Sequence, residues 1–154
     1  MDFRARANHA LYLAKILLAA WRSDLEQQRI PSTTLAQAYA PGARDHLITA
    51  YGWFLLTVSQ ASVPPAGPPR CCDELPPLPA GKVLPGEINE FRQLEASGWL
   101  GDMLRTRDID TPVVRRPDNL AVVAGDAPGP EQMEGWLGAM SSLFDRMGDS
   151  LDEC

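Results

Sequence analysis

The chain reads as an all-α protein: a four-helix up-and-down-type bundle with kinked or short extra helices and a long Pro-rich crossover. Three observations predict this. The stretch from Ala43 to Ala61 is apolar in almost every helical direction. Long segments at both ends keep a 3.6-residue apolar period. Eight prolines crowd residues 62–86 and interrupt the helical pattern there.

The first segment, residues 3 to 28, is predicted as an amphipathic helix. At about 100° per residue, Arg4, Asn8, Lys15, Arg22 and Glu26 share one solvent-facing arc. Ala10, Leu13, Leu17, Ala20 and Trp21 lie opposite, flanked by Ala14, Ile16, Leu18 and Leu25. Ala and Leu dominate, so propensity agrees with pattern. Pro31 closes the segment. Ser32 or Thr33 can cap a short second helix over 33–40, after which Pro41-Gly42 breaks the chain or kinks one longer helix.

The central helix follows. Leu47, Ile48, Ala50, Tyr51, Trp53, Phe54, Leu55, Leu56 and Val58 surround its axis, and only a stripe through Asp45, Thr49, Gly52 and Ser59 stays small or polar. A helix that apolar must be buried. Its apolar run is about a dozen residues, against the roughly 20 of a membrane span. It is therefore expected at the core.

Residues 62–86 carry Pro64, Pro65, Pro68, Pro69, Pro76, Pro77, Pro79 and Pro85. Regular helix is excluded and strand is disfavoured, and an extended, polyproline-like surface crossover is expected. Helix resumes over 86–105, with Ile88, Phe91 and Leu94 on one face and Trp99, Leu100, Met103 and Leu104 on another. Ser97-Gly98 between them reads as a kink, or as a stop with Ser97 capping a new short helix. Residues 106–128 read as an irregular loop or a small hairpin. The last helix opens at Pro130 with Glu131 and Glu134 at its positive end. Met133, Trp136, Leu137, Met140, Leu143, Phe144, Met147 and Leu151 keep its period. Gly135, Gly138 and Gly148 weaken it and leave room for close neighbours. Residues 149–154 are expected to form an acidic, frayed tail. Trp21, Trp53, Trp99 and Trp136 fall one on each main helix, as core residues would.

A chain of 154 residues is the size of one domain, taken as 1–154, and can bury its apolar surface without disulfides or metal. The net charge of −6 argues against broad binding to nucleic acid or anionic membrane. The cysteines are Cys71, Cys72 and Cys154, with no CxxC, and the only histidines are His9 and His46. That is neither a disulfide framework nor a zinc set. Free thiols fit a cytoplasmic localisation. Lys15 interrupts the N-terminal apolar run, and no signal-cleavage pattern follows. No metal, cofactor or membrane span is expected.

No P-loop, dinucleotide fingerprint or nucleophile elbow is present, and no Glu-x-x-His pair of the kind that di-iron bundles use. A Cys71-Cys72 nucleophile would sit on a Pro-rich loop without a rigid frame. The arginines at 105, 107, 115 and 116 form a basic cluster that Asp108, Asp110 and Asp118 nearly cancel, as in a solvated loop. The candidate site residues are two Arg/His groups: Arg4 with His9, and Arg44 with His46. One group of such a pair binds phosphate and the other moves a proton. The Arg-x4-His spacing of Arg4 and His9 resembles the motif of the HEPN ribonuclease bundles, although that family carries it on a late helix. The plainer reading makes these residues helix-end charges and partly buried polar edges.

The segments ANHALYLAKILLAAW, DHLITAYGWFLL and LEASGWLGDML together resemble a small proteobacterial family of unknown function. The shared features are the opening Asn8-x-x-Leu11-Tyr12-x-Ala14 and the element Ser97-x-Trp99-Leu100. The resemblance implies a helical fold and brings no activity, cofactor or catalytic residue. The expected function is a non-enzymatic cytoplasmic module that binds another protein or itself. The alternative is a HEPN-like RNA-cleaving or nucleotide-binding bundle that uses the Arg/His pairs.

Overall fold

The computed structural model describes residues 2–59, 66–76, 86–106 and 129–152, with side chains of the last helix through Asp149. Among them are five α-helices and one 3-10 turn, and no strand: α1 (Phe3–Gln27), α2 (Ser32–Val58), the turn Cys72–Glu74, α3 (Gly86–Ser97), α4 (Trp99–Arg105) and α5 (Pro130–Asp152). The protein is all-α, as the periodicity predicts.

α1 starts at Asp2, whose carboxylate accepts the Ala5 N–H at 3.1 Å. It stops at Gln28, a left-handed residue with φ 52° whose N–H reaches Leu25 O. The four-residue link to α2 makes an αα-hairpin. Side-chain pairs run antiparallel along it. Phe3 stacks on Trp53 at 5.7 Å, and Trp21 stacks on Tyr39 at 6.1 Å. Leu17 Cδ1 lies 3.3 Å from where a Cβ of Gly42 would be.

The buried stripe of α1 is Phe3, Ala7, Ala10, Leu11, Ala14, Leu18 and Trp21. It is turned from the predicted arc. Leu13 and Leu17 are only half-buried and Ile16 is exposed. The alanine side faces inward because it lets the α2 backbone approach, where Ala36, Ala40 and Ala43 are buried as well. Closer backbones gain more dispersion contacts than a bulkier seam would.

The separate helix over 33–40 and the break at Pro41-Gly42 are not observed. α2 runs continuously through Pro41. An internal proline costs about 3 kcal/mol. Leu35, Ala36, Ala40, Ala43, Leu47 and Ile48, buried on both sides of it, offset that cost. The rest of α2 is the core, as expected, and it ends at Val58. Tyr51, Phe54, Leu55 and Leu56 are fully enclosed. Phe54 stacks on Phe144 at 3.9 Å and meets Phe91 edge-on at 6.2 Å.

α3 and α4 pack on each other and run antiparallel to α2, Phe91 and Glu95 lying against Tyr51, and Met103 and Leu104 against Arg44. They separate at Gly98, which stands at the N-cap of α4. Ser97 does not cap; its hydroxyl turns back to Gln93 O at 3.3 Å. α5 runs antiparallel to α1, joined by Arg22–Glu131 and Arg22–Glu134 at one end and by Arg4 over Gly148 at the other. It stays helical through Asp152 rather than fraying at Asp149. Gly148 is a close-approach glycine, whereas no neighbour among the described residues lies within 4 Å of a Cβ at Gly135 or Gly138. Trp21 and Trp136 are buried, but Trp53 and Trp99 are half-buried and belong to the edge of the core. The loop-or-hairpin reading of 106–128 lies outside the described residues beyond Thr106.

Candidate functional site

The described part of the Pro-rich stretch lies at the surface, with only Pro69 and Cys72 buried, but it is docked on α2. A Cβ on Gly52 would overlap the Pro69 carbonyl and lie 3.0 Å from Pro68 Cβ, so the segment rests directly on α2. Arg70 reaches back to Asp45 at 3.0 Å. The small and polar stripe of the central helix is therefore the track on which residues 66–76 sit. Proline supplies no ladder donor, so the segment is held by side chains and by shape.

Its anchor is Cys72, which is 3% exposed. The Cys72 N–H donates to Glu95 Oε2 at 3.0 Å. The Tyr51 O–H donates to the same oxygen. Cys72 Sγ lies 3.6 Å from the Tyr51 hydroxyl. One carboxylate from α3 thus joins α2 to the docked segment. Arg92–Asp73 at 3.5 Å and the Arg70 N–H to Glu74 at 2.8 Å support it from outside. Burial pushes the Cys72 thiol up to about 12. Burial, then its bond to Glu95, lifts the Tyr51 phenol well above its ordinary range. Burial raises Cys71 too. All three groups are protonated at neutral pH, so none is an activated nucleophile. The chemistry available to this cluster is hydrogen bonding, and its role is to fasten a loop.

The four sequence-predicted residues are not brought together as pairs. Five positions on a helix turn Arg4 and His9 roughly 140° apart, and two positions turn Arg44 and His46 roughly 200° apart. Arg4 lies over the α5 backbone at Gly148, while His9 is exposed. Arg44 donates from Nε to Met103 O and from Nη2 to Leu104 O, both at 2.8 Å, and so holds the C-terminal carbonyls of α4. His46 is half-buried on the far side of the helix.

Two surface features carry recognition chemistry. One is an open cleft of about 410 Å³ between the start of α3 and the end of α5, lined by Gly86, Glu87, Glu90, Arg146 and Met147. Its Arg146 and Glu90 are already paired at 2.8 Å. The other is the outward face of α1. Ala5, His9, Tyr12, Ile16, Ala19 and Ser23 are all exposed and recur at steps of four and three. Tyr12 is 60% exposed and Ile16 48%. The apolar period sets Ile16 beside the buried side of the helix, whereas it stands in solvent. The alternating steps of four and three were the signal that could have found this face.

Among the described residues, no three His, Cys, Asp or Glu side chains are grouped to hold a metal ion. No described helix is long and apolar enough to cross a membrane. Compared with known proteins, the chain matches no protein-family model, no curated protein and no solved structure. The class that fold and surface define is an all-α protein with a side-chain-locked segment and a first helix that exposes Tyr12 and Ile16.

Proposed function

We propose that the chain is a non-enzymatic helical module that binds another protein, or itself, through the outward face of α1. The observation that carries this is the exposure of Tyr12 and Ile16 one turn apart on α1; among the described residues the other exposed large apolar side chain is Ile30, in the link that follows the helix. Such a face is stable in water but gains by being covered. The arrangement we read beneath it is a four-helix up-and-down-type bundle. Its support is the antiparallel pairing of α1 with α2, of α1 with α5, and of α3–α4 with α2. The unpaired thiols Cys71 and Cys72 suit a cytoplasmic setting. The HEPN-like alternative loses support because Arg44 is engaged with the α4 carbonyls and each Arg/His pair diverges around its helix. The test is affinity purification from the native host, with mass spectrometry, of the wild type and of a Tyr12→Ser/Ile16→Ser variant. A partner recovered with the first and lost with the second is the expected result. Identical recoveries would remove the α1 face from the account.

A further inference from the structure

The docked segment carries two adjacent thiols in opposite surroundings. The backbone at Cys71 is extended, with φ −159° and ψ 172°. Neighbouring side chains on such a backbone project to opposite sides. Cys72 points into the core, its sulfur 3.6 Å from the Tyr51 hydroxyl. Cys71 points outward, its sulfur 3.8 Å from the Glu74 carboxylate. An S–S bond of about 2 Å cannot join two sulfurs held on opposite sides of the chain. We propose that Cys71 and Cys72 form a thiol–disulfide switch, in which oxidation of the pair requires Cys72 to leave Tyr51 and Glu95 and so releases residues 66–76 from α2. The switch is independent of the reading of the α1 face.

The docking turns on Cys72. Its N–H is held by Glu95 and its sulfur lies against Tyr51. The segment's ion pairs to the helices, Arg70–Asp45 and Arg92–Asp73, are exposed and hold little on their own. Turning the Cys72 sulfur outward empties its place beside Tyr51 and carries the N–H off Glu95. Docking in turn protects the thiols. Burial above all, and the Glu95 carboxylate after it, keep both protonated, and a thiol reacts far less readily than its thiolate. Oxidation therefore proceeds from the opened segment, with a low-molecular-weight disulfide as oxidant. The Cys71 thiolate attacks one sulfur of that disulfide and expels the first small thiol. The Cys72 thiolate then attacks the Cys71 sulfur of the mixed disulfide and expels the second. Two protein S–H bonds are lost, one S–S bond forms, and the oxidant leaves as two thiols that carry the protons. Adjacent Cα atoms stand about 3.8 Å apart, against the roughly 4.4–6.8 Å usual for a disulfide. The closed ring is therefore strained and readily reduced again.

The experiment uses the full chain with Cys154→Ser, equilibrated in glutathione buffers of increasing oxidised share, then alkylated and mapped by mass spectrometry. Hydrogen exchange follows the Cys72, Glu74 and Leu75 amides, which donate to Glu95, Cys71 O and Cys72 O in the docked segment. As the buffer turns oxidising, a Cys71–Cys72 pair free of both alkyl label and glutathione should accumulate. The three amides should lose protection over the same range while α1 stays protected. Gly52→Ala loosens the docking at Pro68–Pro69 rather than at the cysteines. It should ease oxidation by about tenfold in the glutathione ratio at the midpoint, and Glu95→Ala should do the same. Either variant that keeps its helical circular dichroism spectrum is enough to decide. Equal midpoints in the parent and in every folded variant would overturn the link between docking and oxidation. A Cys71–Cys72 disulfide formed with the amides still protected would overturn the release. Glutathione on Cys71 with Cys72 still alkylated, or two thiols alkylated at every ratio, would overturn the switch altogether.

Discussion

The stripe Asp45–Thr49–Gly52–Ser59 on α2 and the seam Ala5 to Ser23 on α1 are both narrow tracks on long helices, and their surroundings are opposite. The α2 stripe is small and polar, yet the Pro68–Pro69 backbone covers it at Gly52 and Arg70 bridges it at Asp45. The α1 seam holds a tyrosine and an isoleucine, yet both stand in solvent. Polarity alone would have exchanged them. What decides is backbone proximity. Gly52 lets another chain segment lie directly on the helix, and the alanines of α1 draw that helix to α2 by its smaller side. The outcome is a central helix buried over most of its surface and a first helix with Tyr12 and Ile16 in solvent.

The largest effect that would test this contrast is a cavity in the enclosed helix. Phe54 is fully buried between Phe144 and Phe91. Phe54→Ala should cost about 3–5 kcal/mol in chemical denaturation, a large part of the roughly 5–15 kcal/mol that a domain has. A loss under about 1 kcal/mol would mean the core closes without it, and the enclosure described here would fail.

The next effect comes from adding or removing a few atoms on the covered stripe. Gly52→Ala places a methyl against the Pro69 carbonyl, an overpacking that costs about 1–3 kcal/mol. Glu95→Ala leaves the Tyr51 hydroxyl and the Cys72 N–H without their acceptor, again about 1–3 kcal/mol. Either change should also speed the reaction of Cys72 with a thiol reagent in a Cys71→Ser/Cys154→Ser background. Protection as strong as in the parent would show that the segment does not depend on these contacts.

A pH effect distinguishes the same lock. The Cys72 thiol stands at about 12 in the fold, against about 8.5 for an unfolded thiol. A folded value above the unfolded one gives stability that is complete below about pH 8.5 and lost as pH rises toward 12. Tyr51 is shifted in the same direction and adds to the loss above the ordinary phenol range, near pH 10. Urea midpoints should therefore fall from pH 8 to pH 10.5, and less steeply in Cys72→Ala. Parallel slopes for the two proteins would detach Cys72 from the effect.

The smallest effects belong to α1. Tyr12→Ser, Ile16→Ser and Lys15→Ala should each stay within about 0.5 kcal/mol, because each side chain is exposed. A penalty for Ile16→Ser comparable to that of Gly52→Ala would erase the contrast between the two faces.

Much of the fold was legible from residue order. The burial of Phe54, Leu55 and Leu56 follows from a helix that is apolar in nearly every direction outside one narrow polar stripe. Pro130 at the first position of α5 and the inward Met133, Trp136, Met140, Leu143 and Met147 follow from the 3.6-residue period. The site was less legible. Arg44 attracts notice beside His46, but its partners are carbonyls of α4, some 60 residues away in the chain. Glu95 carried no motif and proves to be the residue that fastens the loop.

Composition and period were enough to establish an all-α chain, the order of its long helices, its central apolar segment and the absence of a familiar catalytic motif. Those properties are local: they depend on which side chains recur at each turn. Tertiary structure decided that α2 continues through Pro41, that residues 66–76 lie on Gly52, that Tyr51, Cys72 and Glu95 meet, and that Tyr12 and Ile16 face outward. Each of these depends on how closely two backbones distant in the chain approach, and that distance is set by packing the whole core at once.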